Sequence, residues 1–309
     1  MRLIGLKTLI VISLLSLAGC DLAKKEIQPQ IHYTVQDRYL QSLPSPFSEL
    51  STLERETSWG SEYLIGNHFA KKLDFYRAIT AFRRAEILTQ DEDRRLEAQY
   101  ETLLCYYLGQ RYAEVEQSYR ESNLSSISTN FPAFHDLLVI LYDTYFQLGE
   151  VEKSTPILEL LGQYDEKTAK TLVLYSALQK ADFSVLEKLG KDLPLMKIYE
   201  EQKKSSKIAA ALNAIIPGSG YFYLGQKNTA ITALLMNGLF LAAAIYFFRR
   251  RPIAAAIIFL GFEAGWYLGG IQGGSAQGKL YNERVYEQIV TPYMNREGIF
   301  PIYQLKNAF

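Results

Sequence analysis

The chain has 309 residues, with 33 basic and 33 acidic side chains that cancel, and 48% of its residues are hydrophobic. This composition is globular, and with no net charge and no basic patch interleaved with aromatics it excludes nucleic-acid binding. Only two cysteines are present, too few for a disulfide framework.

Residues 1 to 20, MRLIGLKTLIVISLLSLAGC, begin with Arg2 and Lys7, continue with an apolar run from Leu9 to Leu17, and end in small residues before Cys20. That order reads as a secretory signal. Leu17, Ala18, Gly19 and Cys20 resemble the lipobox of bacterial lipoproteins, and the resemblance implies lipidation of Cys20 and export of all that follows. Asp21 is similar to an inner-membrane retention signal of some Gram-negative lipoproteins. Cys105, the other thiol, is expected to be buried and inert. Residues 21 to 46 are polar, with scattered prolines and no period, and read as a tether.

From 47 to 200 the pattern is helical and repetitive. In residues 62 to 92, Gly66, Phe69, Phe75, Ala78, Phe82 and Ala85 have a spacing in which small residues let two helices approach while aromatics fill the layer between neighbours. The segment resembles a tetratricopeptide repeat. Weaker units follow, with Gly109, Tyr112, Val115 and Tyr119 in one, Tyr142, Tyr145, Gly149, Val151, Ser154 and Leu158 in the next, and Phe183 and Leu186 in a fourth. The expected fold is all-α: a tetratricopeptide-like solenoid of helical hairpins, each burying a face it cannot bury alone. Such repeats imply a groove for peptide segments or helices of a partner protein. Catalysis is not expected. His32, His68 and His135 lie far apart, none beside a second metal ligand at helical or loop spacing, and no HExxH, GxSxG, CxxC or Walker pattern occurs. No metal and no cofactor is expected.

Residues 208 to 226 are apolar but broken by Pro217, Gly218 and Gly220, so they are expected to lie at the membrane interface or re-enter. The pattern Pro217, Gly218, Gly220, Tyr223, Gly225 resembles the opening motif, P-G-x-G-x-x-Y-x-G, of small two-helix bacterial membrane modules. A transmembrane hairpin is expected over 229 to 274. Its first helix is charge-free from 229 to 248, long enough at ~1.5 Å per residue for a ~30 Å hydrocarbon layer. Arg249, Arg250 and Arg251, followed by Pro252, form the turn and mark the cytoplasmic side. Within the second helix Glu263 is the lone charge, and Asn237 lies at nearly equal depth in the first. The expected arrangement is a hydrogen bond between them, with Glu263 carrying its proton. Gly261, Gly265, Gly269 and Gly273, four residues apart, are expected to form a strip that meets the first helix or a second copy of the protein. The tail, 275 to 309, should share a compartment with the repeats.

These readings combine into a lipid-anchored, twice-spanning inner-membrane protein whose repeats and tail face the periplasm. The expected role is a non-catalytic scaffold that recruits or organises envelope proteins, with membrane lipid and protein as partners. The alternative is an accessory subunit of a transport or insertion system in which the hairpin with Glu263 is the active part.

Overall fold

The computed structural model describes residues 27–32, 37–189 and 194–309. The expected signal sequence and the expected lipidation position Cys20 lie outside them. Among the described residues the secondary structure is helical, with no strand. The chain divides into two compact units, one holding Ile31–Asp192 and Val290–Phe309, the other Met1–Gln30 and Leu193–Ile289.

The larger unit begins with two short helices, α1 (Asp37–Ser42) and α2 (Thr52–Arg55), the latter started by a reciprocal Ser51/Glu54 capping box. Four helix pairs follow: α3 (Ser58–Lys71) with α4 (Phe75–Leu88), α5 (Glu92–Leu108) with α6 (Tyr112–Glu121), α7 (Phe134–Gln147) with α8 (Val151–Tyr164), and α9 (Glu166–Gln179) with the short α10 (Phe183–Lys188). Each helix packs on the next in sequence.

All four pairs turn in the same way. The second residue after the first helix adopts positive φ: Leu73 at 60°, Gln110 at 56°, Gly149 at 76° and Ala181 at 48°. The following amide then reaches back to the carbonyl of the residue five positions earlier, Asp74 to Phe69, Arg111 to Tyr106, Glu150 to Tyr145 and Asp182 to Ala177. This double closure satisfies carbonyls that a helix end otherwise leaves bare. Aspartate then starts the second helix in two pairs, Asp74 accepting from Arg77 N and Asp182 from Val185 N.

In the first pair, Gly66 is required because a Cβ there would lie 2.7 Å from the Phe82 ring. Ala78, Phe82 and Ala85 are buried as expected, whereas Phe69 is half-buried with the Arg77 guanidinium over its ring. Two aromatics differ from the expected layer. Phe82 packs on Tyr63 within its own pair, and Phe75 packs on Phe309. Tyrosine hydroxyls joined to buried carboxylates link successive pairs: Tyr63 donates to Glu97, and Tyr107 and Tyr175 both donate to Asp143.

The second unit contains α11 (Pro194–Gln202), α12 (Ser206–Ile215), α13 (Ser219–Tyr223), α14 (Lys227–Arg250) and the part of α15 (Ile253–Arg296) up to residue 289. Two helices, α14 and the one beginning at Ile253, are long and apolar enough to cross a membrane. They pair through aromatic rings, Phe247 stacked on Phe259 at 5.4 Å and Phe240 tilted against Phe262 at 5.9 Å. Leu234, Leu235, Leu239, Ile257, Ile258 and Phe262 point outward.

Two expected boundaries move. The second apolar helix does not end near 274 but continues unbroken to Arg296, because beyond Gly274 a buried face of Gly278, Asn282, Val285 and Tyr286 keeps the helix packed. The stretch read as a tether is packed where it is described. Ile27, Ile31 and Leu40 are buried, and Gln28 N and Gln30 N donate to Glu283 and Glu287 on α15. A few well-spaced aliphatic residues suffice to seat an otherwise polar segment.

Candidate functional site

The glycine-rich motif forms a junction where α12, α13, α14 and α15 meet. After α12 the chain turns at Pro217 and enters Gly218, whose φ of 93° and whose Cβ position, 2.3 Å from the Ala230 carbonyl, admit only glycine. Gly220 lies so close to α12 that a Cβ would stand 1.9 Å from the Ala209 carbonyl oxygen. Tyr223 accepts from Ser205 N at 3.3 Å, its carbonyl accepts from Lys204 Nζ at 2.8 Å, and the same ammonium stands over its ring. Gly225, at φ 83°, closes α13 and turns the chain into α14. All five motif residues therefore sit in one junction.

Asn213, which sequence reasoning passed over, is its hub. It is 1% exposed, donates Nδ2 to the Gly270 carbonyl at 2.7 Å, and accepts from Gly220 N on Oδ1 at 2.7 Å. One amide thereby satisfies a broken helix start and an intact helix carbonyl, groups that would be costly to leave bare in an apolar setting. Tyr267 Oη donates to the Ala214 carbonyl, and Asn282 clasps the Lys204 backbone, Oδ1 accepting from its N and Nδ2 donating to its O, both at 2.8 Å. The available signal was an asparagine and a tyrosine inside apolar runs.

Within the chain the expected glycine strip does not meet the first helix. At Gly261, Gly265 and Gly269 an added Cβ would meet nothing within 4 Å, and only Gly273 is crowded, by Tyr221 Oη at 2.3 Å. The close approaches are instead at Gly274, 2.7 Å from Asn213 Nδ2, and Gly278, 2.6 Å from the Ser206 Cα. The working series is offset by one residue from the expected one. On a helix one residue is about 100°, which turns the expected strip away from α12.

The expected pairing of Asn237 with Glu263 is also corrected. Phe240 meets both Phe262 and Trp266, so the helix turns carrying Asn237 and Glu263 lie against each other. The expected hydrogen bond is nevertheless not made. Asn237 Nδ2 donates at 2.6 Å to the carbonyl of Ala233, four residues back in its own helix, leaving Asn237 Oδ1 and Glu263 Oε2 buried without a partner. The short amide reaches its own backbone more readily than a side chain on the next helix. Of the three arginines, Arg249 and Arg250 end α14, and Arg251 makes the turn at φ 76°.

In the larger unit, the first helices of the four pairs share a face covered by two segments of the same unit. Phe47 packs on Tyr100 of α5, Gln41 Nε2 donates to the Lys71 carbonyl, and Gln179 Nε2 donates to the Ile31 carbonyl. The last residues follow the same face. Phe300 packs on Tyr175, the Tyr39 hydroxyl lies within donating distance of the carbonyls of Tyr303 and Leu305, and Ala308 N donates to the Pro44 carbonyl.

The polar centre of this contact is Asp136. Its buried carboxylate accepts from Lys306 N at 2.9 Å, Asn307 N at 2.8 Å and Asn307 Nδ2 at 2.9 Å, with His135 Nδ1 at 2.8 Å. Beside it, Lys306 Nζ meets Asp165 at 2.9 Å, and this ammonium together with the Thr168 backbone N–H holds the Asp165 carboxyl below the usual carboxylate range. No signal in the sequence paired residues so distant. Cys105 is buried, and burial pushes its thiol pKa up. Comparison with known proteins finds no matching protein-family model, no matching curated protein and no matching solved structure.

Proposed function

We propose that this chain is a non-catalytic, membrane-anchored scaffold that recruits or organises envelope proteins. In this reading Cys20 is the lipidated first residue of the mature chain, the helix pairs are a tetratricopeptide-like solenoid, and α14 with the apolar part of α15 forms the spanning hairpin of the inner membrane. The observation that carries the reading is that residues 290–309 fold into the same unit as the helix pairs, from which both candidate spans separate them in sequence. A segment and the unit it completes share one compartment, so the chain between them crosses the bilayer an even number of times. Two spans meet that condition. α12 has ten residues, about 15 Å of helix against the ~30 Å needed to cross, and with its exposed Ile208 and Ile215 it suits the interface. The shared turn geometry of the four pairs supports the repeat reading.

Single cysteines introduced for Ser125, Glu297 and Arg250 test it. A membrane-impermeant maleimide added to intact spheroplasts should label the first two, and Arg250→Cys only after permeabilisation. Labelling of Ser125→Cys and Glu297→Cys from opposite sides would overturn the topology.

The unpartnered oxygens of Asn237 and Glu263 favour a second reading, an accessory subunit of a transport or insertion system. Proteoliposomes decide between them through a pH-sensitive dye. A proton leak that disappears in a folded Glu263→Gln variant supports the second reading, and its absence in wild type supports the scaffold.

A further inference from the structure

α12 lies along α15 rather than across it. Three contacts fix the register: a Cβ at Gly278 would stand 2.6 Å from Ser206 Cα, one at Gly274 would stand 3.0 Å from the Ala209 carbonyl oxygen, and Asn213 Nδ2 donates to the Gly270 carbonyl at 2.7 Å. The steps from Gly278 to Gly270 on one helix and from Ser206 to Asn213 on the other run in opposite directions and match in length, so the axes stay nearly aligned over about 11 Å. Further along, Tyr267 Oη reaches the Ala214 carbonyl. α13 then brings the chain back. Tyr223 Oη accepts from Ser205 N, and Gln226 Nε2 donates to Gln277 Oε1 at 2.7 Å. The segment thus leaves α15 at Gln277, beside the Gly278 at which it arrived.

That level is the edge of the apolar length on both long helices. Lys227 follows Gln226, after which α14 carries no charge until Arg249, and Lys279 follows Gly278 on α15. Lys207 and Lys227 are exposed at this level. From Gly278 to the level of Tyr267 is about 16 Å of helix, half of a ~30 Å hydrocarbon layer. Over that depth the outward side of the segment is apolar, with Ile208, Ile215, Ile216 and Phe222 exposed, Ile215 to 76%. The break at its tip is closed from within. Ser219 N donates to the Ile216 carbonyl, Ser219 Oγ lies within donating distance of the Leu212 and Ile216 carbonyls, Gly220 N donates to Asn213 Oδ1, and Pro217 has no N–H to satisfy. A break facing water needs no such closure, whereas one surrounded by hydrocarbon does.

We propose that residues 205–226 form a re-entrant helical hairpin that enters the bilayer beside α15, turns near its middle at Pro217 and Gly218, and returns to the face it came from, with its exposed apolar side against the acyl chains of that leaflet. α12 meets the interface only at its first turn, where Lys207 reaches the headgroups. This placement rests on the reading of α14 and α15 as spans, leaves the number of crossings at two, and adds a lipid contact confined to one leaflet.

Spin-label depth tests it, on the full chain in proteoliposomes of phosphatidylethanolamine and phosphatidylglycerol. Single nitroxides are placed through Lys207→Cys and Ile215→Cys, and through Lys227→Cys and Leu235→Cys as a ruler on α14. Depth is read from relaxation by oxygen against relaxation by a water-soluble nickel chelate. The Ile215 label should lie about 12 Å deeper than the Lys207 label, the same step that separates Leu235 from Lys227. Cysteines introduced for Gln202 and Asn228 should react with an impermeant maleimide from the same side. An Ile215 label as shallow as that at Lys207, with the Leu235 label deep, would show a helix lying flat and remove this inference alone. Reaction of Gln202→Cys and Asn228→Cys from opposite sides would make the segment a third span and overturn it as well. A shallow Leu235 label would instead remove the spanning reading beneath both. If Ile215→Cys does not fold, Ile216→Cys, also exposed, reads the same depth.

Discussion

Asp143 shows how a single polar group is tuned by its surroundings. Burial pushes its pKa from the ordinary 3.8 to about 6, although Tyr107, Gln147 and Tyr175 all donate to it and pull the other way. An acid with a raised folded pKa holds its proton more tightly folded than unfolded. Its contribution to stability is therefore complete below about pH 4 and lost as pH rises through about 6. At about 1.4 kcal/mol per pH unit the loss is on the order of 3 kcal/mol. Asp143→Asn keeps the shape without the titration, so denaturant melts of wild type and variant between pH 4 and 7 should diverge. The wild type loses stability relative to the variant as pH rises, and parallel curves would reject the account. The same scale explains which residues the sequence concealed. Asp136 carries no local signature, and the apolar run around Asn213 marks that residue without naming its partner, because a hub is defined by partners brought from 57 positions away for Asn213 and 171 for Asp136.

At the scale of elements, the recurring turn gives a prediction with two signs. Ala181 and Gln110 occupy left-handed backbone that costs a non-glycine residue roughly 1 kcal/mol, while Gly149 occupies the equivalent place with nothing within 4 Å of its would-be Cβ. Ala181→Gly should raise stability by about 1 kcal/mol and Gly149→Ala lower it by a similar amount, read from chemical denaturation. Equal and opposite shifts are expected because the turns are geometrically alike. The two apolar helices give a second contrast. Gly278→Ala forces a methyl against the Ser206 backbone, whereas Gly261→Ala points into open space. Detergent melts should fall by several degrees for the first variant and stay unchanged for the second. Helical periodicity made the existence of these elements legible. Which glycines touch a neighbour was not, since that depends on the rotation of α15 about its axis.

For the whole molecule, membership of residues 290–309 in the unit built from the helix pairs has a mechanical consequence. A chain cut in the turn between α14 and α15 remains held together by that unit. With a protease site inserted after Arg251, the cleaved fragments should still co-migrate on a native gel in mild detergent and separate only in denaturant. The packing of Phe300 on Tyr175 and the hydrogen bonds to Asp136 supply the hold. Separation of the fragments in mild detergent would show that the tail contact is weaker than its burial implies.

By itself the sequence determined the helical class, the helix pairs with their turns, the two apolar helices and the basic turn between them. All of these follow from hydrophobic period, apolar length, small residues and charge, which act over a few turns of chain. The tertiary structure alone decided the seating of the polar segment around Ile27 and Ile31, the continuation of α15 to Arg296, the glycine series that makes contact, and the course of the last residues over the first helices of the pairs. Each of these depends on which surfaces remain after the local elements have formed. A side chain's polar demand is met by whichever group arrives within about 3 Å, and that group is fixed by packing between segments far apart in the chain.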